Sequence, residues 1–171
     1  LGEKKDILDF YTQPDSGGSS FIPIDIKGEA FKLSNTDLAK ENHNRTTLKK
    51  DIELNTKVSL PIETLSNVAN IENIEIIHLL KIDTQGFESE VLKGCGDKLK
   101  DVLIIETEII FSDAYEKVGT FYEVEEIIKK YGFVLWDIPY IGKFASDDIN
   151  KINFIDATYV NEKLLKEMQN P

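Results

Sequence analysis

Residues 79–94 read LLKIDTQGFESEVLKG, and three kinds of physics follow one another in these sixteen positions. With His78 before them, Leu79, Leu80, Lys81 and Ile82 make an apolar run too short for a stable helix, which suits a buried parallel strand. Asp83-Thr84-Gln85-Gly86 is a polar turn punctuated by glycine. Phe87, Val91, Leu92, Cys95 and Leu99 then recur at helical spacing, with Glu88, Glu90, Lys93 and Lys98 on the other faces. The reading is strand, acidic turn, amphipathic helix. In an open α/β sheet ligands bind at the carboxyl ends of the strands, where Asp83 would stand. The plainer reading of Asp83 is a helix N-cap accepting backbone N–H bonds. Spacing alone leaves both open.

The same stretch resembles the signature of the FkbM family of S-adenosylmethionine-dependent methyltransferases, close to LLKID-x-(E/Q)-G-x-E-x-x-VLKG. Lys81, Ile82, Asp83, Gln85, Gly86, Glu88, Val91, Leu92, Lys93 and Gly94 all meet it. The resemblance extends to Leu1-Gly2, to the small-residue loop Gly18-Ser19-Ser20 and loosely to Glu63-Thr64-Leu65. It continues through Glu108, Phe111 and Tyr115, then Gly132-Phe133 and Asp156-Ala157. It implies a Rossmann-like α/β fold, with a mostly parallel sheet and a closing antiparallel strand pair. It also implies O-methylation of a sugar or other natural-product hydroxyl, with S-adenosylmethionine as cofactor. Asp83 and Glu108 are the implied catalytic residues, and Leu1, Gly2, Asp83 and Gln85 the implied cofactor contacts. His78, where relatives often carry an acid, departs from the pattern at the start of the strand.

One larger departure shapes the domain expectation. The family's glycine-rich DxGAN-type loop does not occur in these residues: no helical pattern follows Asp15-Ser16-Gly17-Gly18, and Gly94-Cys95-Gly96 lies inside the helix just assigned. Residues 1–171 are therefore expected to form a single domain that is the C-terminal portion of a methyltransferase domain. Its N-terminal part, with most cofactor contacts, would be missing, and this chain alone is expected to be inactive. The alternative is a non-catalytic binding or scaffold domain that keeps the fold, which Asp83 and Glu108 facing away from any common cleft would favour. A nucleotide-sugar enzyme of related fold fits less well without a phosphate loop.

Length and composition bound these readings. The 171 residues suffice for one domain with a core, and 41% hydrophobic with 30% charged residues is ordinary for a globular protein. No apolar run approaches the roughly 20 residues that span a bilayer, and LGEKKDILDF has no basic-then-apolar leader pattern. The expected location is cytoplasmic, without membrane contact. A net charge of −11 disfavours a polyphosphate partner, so the expected partner is a small-molecule or glycan acceptor. Cys95 is the single cysteine and reads as a small core residue. His43 reads as a solvated loop residue, as do Lys49 and Lys50, and no metal-ligand spacing is present.

The remaining elements follow from local pattern. Ile7–Tyr11 reads as a strand with Leu8 and Phe10 on one face, and the loop after Pro14 as a hairpin connection. Residues 28–50 are polar without sustained period. Thr56–Leu60 alternates like a strand, and Pro61 is expected to open a short helix. Val102–Ile110 (VLIIETEII) reads as a strand whose Glu106 and Glu108 point the same way, lining either a cleft or a solvated edge. Thr120 to Glu123 has the form of a capping box, before a helix with Phe121, Val124, Ile127, Ile128 and Tyr131 on its apolar face and Gly132 as its stop. Phe133–Trp136 and Phe154–Val160 read as strands about a loop containing Pro139 and Gly142, and a last helix covers Asn161–Met168.

Methyl transfer to a hydroxyl asks for alignment of acceptor oxygen, carbon and sulfur. It also asks for a base to take the alcohol proton and an acidic surround for a sulfonium cation. Asp83 is the best-placed candidate on sequence. For Glu88, stabilisation of the helix start is the preferred reading.

Overall fold

A computed structural model of the protein describes residues 1–13, 16–34, 56–143 and 151–169. His43, Lys49 and Lys50, read above as solvated, lie outside the described residues. The elements are β1 (Asp6–Thr12), α1 (Glu29–Ser34), β2 (Thr56–Ile62), α2 (Leu65–Ile71), β3 (Ile77–Ile82), α3 (Glu88–Cys95), β4 (Val102–Ile110), α4 (Phe121–Lys129), β5 (Phe133–Lys143), β6 (Ile152–Asn161) and α5 (Glu162–Gln169). Short 3-10 segments cover Ser16–Gly18 and Gly96–Asp101.

The fold is mixed α/β. Strands β1 and β2 form an antiparallel pair, while the other four lie in the order β3-β4-β6-β5. Within that sheet β3 and β4 are parallel, and β6 runs antiparallel to both β4 and β5. The expected closing antiparallel pair is present as β5–β6. The expected mostly parallel sheet is not what the described strands form: one of the three pairings in the larger sheet is parallel. The reason is in the connections. Helix α3 carries the chain from β3 back to the start of β4, as a parallel crossover requires, whereas β5 leads into β6 without a helix among the described residues.

The decisive stretch folds as strand, turn and helix, with two corrections. Strand β3 ends the sheet order among the described strands and is largely exposed rather than buried, only Ile82 being buried. Helix α3 stops at Cys95, so that Gly96 and Leu99 fall in the 3-10 segment instead of the helix. Phe87, Val91, Leu92, Cys95 and Leu99 are all buried, and they pack with α4 against Ile105 and Ile109 of β4 and Ile155 and Tyr159 of β6 in one core. Burial pushes the Cys95 thiol up to about 12, in keeping with a core role. Thr120 caps α4 through the reciprocal bonds with Glu123, and Gly132 ends it at φ +90°.

Two prolines fall differently. Pro61 stays in β2, opposite Ile7, and α2 starts four residues later behind Thr64, whose side chain accepts from the Asn67 amide. A proline is tolerated there because, among the described residues, β2 pairs on one side only. Pro139 and Gly142 lie inside β5 rather than in a loop, where the pairing with β6 shifts register around them. The expected hairpin connection after Pro14 is reduced to a single antiparallel bridge, with Tyr11 and Ser20 exchanging both backbone hydrogen bonds, while β1 takes β2 as its partner.

Candidate active site

The site is set by register. Ile82 lies opposite Thr107 in the parallel pair, so the next residues, Asp83 and Glu108, stand side by side at the carboxyl ends of β3 and β4. Glu108 in turn lies opposite Asp156 of β6, and paired residues in a ladder share a face. Glu106 and Glu108 therefore point together as expected, on the face opposite the α3–α4 core. Helix α3 begins at Glu88 with Phe87 as N-cap, so Asp83 does not cap it.

What joins the two carboxylates is Gln85. Its Nε2 donates to Asp83 Oδ1 at 3.0 Å and to Glu108 Oε2 at 2.9 Å. Its Oε1 accepts from the Tyr115 hydroxyl at 3.0 Å. Gln85 has a positive φ of 55°, which is uncommon for a residue with a side chain and costs backbone energy. The turn is held in that shape from outside. The Ser20 hydroxyl is shared as donor between the carbonyls of Thr84 (3.2 Å) and Gln85 (2.9 Å), and the Gly119 amide donates to the Gly86 carbonyl.

Glu88 holds the turn from inside. It is 3% exposed, and its Oε1 accepts from the Thr84 amide, the Thr84 hydroxyl and the Gly86 amide. Burial raises its proton affinity against the pull of those donors. Its role is thus to stitch the preceding turn, which goes beyond the helix-start reading made from sequence.

Glu108 is the chemically distinctive group. Burial is the main cause, with Asp83, Glu88 and Asp156 adding repulsion and Lys81 opposing, that pushes its carboxyl up to about 7. A half-buried carboxyl poised near neutrality can take up and release a proton at working pH. Burial, then the nearby Glu108, Glu88 and Asp83, holds the Tyr115 hydroxyl protonated well above the usual phenol range.

The other two expected contacts sit apart from this cluster. Leu1 is exposed at 42%. Gly2 is buried; its amide donates to the Glu63 carbonyl at 3.0 Å, and its own carbonyl lies against Gly94 of α3. Among the described residues no hydrogen bond links either to Asp83, Gln85 or Glu108. A groove of about 400 Å³ lies nearer to them, floored by Leu8, Phe21, Ile22, Ile62 and Phe87. Sequence reasoning missed Ser20 and the Tyr115 hydroxyl as members of the site. The available signal was their place in the small-residue loop and in the acid–aromatic–tyrosine series.

A family model described as the methyltransferase FkbM domain matches residues 4–135. That span contains the whole Asp83–Gln85–Glu108–Tyr115 cluster. No curated protein and no solved structure matches the chain.

Proposed function

The chain belongs to the FkbM methyltransferase family, and from that premise we propose that its site serves S-adenosylmethionine-dependent O-methylation, on a sugar or other natural-product hydroxyl. The observation that carries this reading is the Gln85 bridge, which keeps Asp83 and the near-neutral Glu108 together at the carboxyl ends of two parallel strands. S-adenosylmethionine supplies an electrophilic methyl group on a sulfonium cation. The residues fit such a group on its charged side, because an exposed Asp83 carboxylate beside a half-buried glutamate favours a cation. Leu1 is the further proposed contact, with Gly2 letting the chain run close against α3.

In this reading Glu108 is the base. It holds the proton released by the acceptor hydroxyl, and its raised affinity matches that task better than an ordinary carboxylate would. Gln85 keeps the carboxylates at a fixed separation, so that positioning supplies part of the acceleration. Asp83 stays on the cofactor side. The Rossmann-like arrangement is part of the same proposal: β3-β4-β6-β5 with its α3 crossover would be the later half of such a sheet. The adenosine-holding glycine-rich loop, absent from these 171 residues, would be supplied from outside them.

Calorimetric titration of S-adenosylhomocysteine tests the reading on two polypeptides: this chain, and the chain extended through any coding sequence that precedes it. Binding by the extended form that is lost in Asp83→Ala supports the proposal. No binding by either form, with both folded, overturns it.

A further inference from the structure

Gln85 has two amide hydrogens and faces two carboxylates, one hydrogen for each. That match holds only while the amide is kept the right way round and at the right depth. On its other side stands Tyr115, 9% exposed. The hydroxyl donates to Gln85 Oε1 at 3.0 Å and lies 3.3 Å from the Gly18 carbonyl, the second acceptor in reach of its single hydrogen. A phenol is an acceptor as well as a donor. With the Gly18 carbonyl and Gln85 Oε1 both accepting, however, its hydrogen is committed toward Gln85 and the small-residue loop. The ring is anchored independently of the hydroxyl, packed with Ile24 and Ile110, and its backbone bridges Ile24.

We propose that Tyr115 is a positioning residue of this site: its hydroxyl fixes the Gln85 amide, and through it the donor that Glu108 receives. The tyrosine touches neither carboxylate by a described hydrogen bond, so its effect on Glu108 passes through Gln85. The inference rests on the proposed function only for the purpose of the carboxylate pair; the geometry stands without it.

The test reads Glu108 directly. The side-chain carboxyl carbon of Glu108 is followed by NMR against pH in the wild-type chain, Tyr115→Phe, Gln85→Ala and the double variant. Four charged or titratable neighbours face this carboxyl, namely Asp83, Glu88, Asp156 and Lys81, and all are kept. Losing a donor to the ionised form raises the midpoint. Tyr115→Phe keeps the ring and is expected to raise it by at least half a pH unit. Gln85→Ala is expected to raise it as much or more, and the double variant no further than Gln85→Ala alone. An unchanged midpoint in a folded Tyr115→Phe overturns the proposal, as does an equal further shift in the Gln85→Ala background. If Tyr115→Phe does not fold, the wild type decides: a slowly exchanging Tyr115 hydroxyl proton close to the Gln85 side chain is expected, and its absence overturns the proposal. No methyl donor or acceptor is present, so this result and that of the cofactor titration can fail separately.

Discussion

Gln85 Nε2 donates to Glu108 Oε2 at 2.9 Å, linking a turn to a strand 23 positions later. The bond places a neutral donor where Asp83, Glu88 and Asp156 all repel an ionised Glu108. The carboxyl is thereby held half-buried beside Asp83 without losing its raised proton affinity.

The first consequence is a pH-dependent cost of folding. Glu108 rises from an ordinary 4.5 to about 7 in the folded protein, so the folded state binds more protons between those values. Stability is full below the lower value and is lost as pH rises through the upper one. The whole shift corresponds to about 3 kcal/mol, and screening at a half-buried group reduces this to about 1–2 kcal/mol. Glu108→Gln should therefore be more stable than wild type at pH 8 by about that amount, and no more stable near pH 4, in urea unfolding at each pH.

Glu88 makes the opposite prediction. Its carboxylate satisfies two backbone amides and a hydroxyl of the turn, and removing it takes the acceptor from all three, the buried Gly86 amide among them. Glu88→Ala should cost about 2–4 kcal/mol, read as a lower urea midpoint at unchanged slope. Glu88→Gln keeps an acceptor oxygen and should cost clearly less.

These two glutamates also show what was legible in the sequence. That Glu106 and Glu108 share a face follows from the period-2 pattern of VLIIETEII, because strand register is local; the choice of Glu108 over Glu106 rests on the family resemblance. The buried series Phe87, Val91, Leu92, Cys95 and Leu99, which runs from the N-cap of α3 into the 3-10 segment after it, follows likewise from helical spacing. Glu88 was recognisable only as a residue near a helix start, since its inward bonds depend on the left-handed backbone of Gln85 and Gly86. Ser20 and Tyr115 reach the turn from 65 and 30 positions away, a proximity that no local period encodes. Pro61 misled for a similar reason: whether a proline opens a helix or sits in an edge strand depends on the partner strand, here β1.

Gly94 in the signature has a packing reason of its own. A Cβ at this position would collide with the Gly2 carbonyl oxygen, so Gly94→Ala must push the first residues away from α3. An overpacked contact of this kind costs about 1–3 kcal/mol. The expected outcome is a lower melting temperature, with faster amide exchange at Gly2 and Thr64 and unchanged exchange in β5 and β6.

Cys95 is fully buried, and its thiol is pushed up to about 12 by burial. In the native chain at pH 8 it should resist iodoacetamide and react only at the rate of global or local opening. Labelling within minutes under native conditions would contradict its place in the core.

The central claim is that Asp83 and Gln85 form the cofactor side of a methyl-transfer site whose base is Glu108. Its most direct test is an NMR titration of the isotope-labelled chain, extended through any coding sequence that precedes it, with S-adenosylhomocysteine to millimolar concentration, where weak binding is still visible. The account predicts saturable shifts at the Gln85 side-chain amide and the Asp83 and Gly86 backbone amides, abolished in Asp83→Ala. Saturable shifts confined to the Phe21–Phe87 groove, or none anywhere in the folded chain, would contradict it.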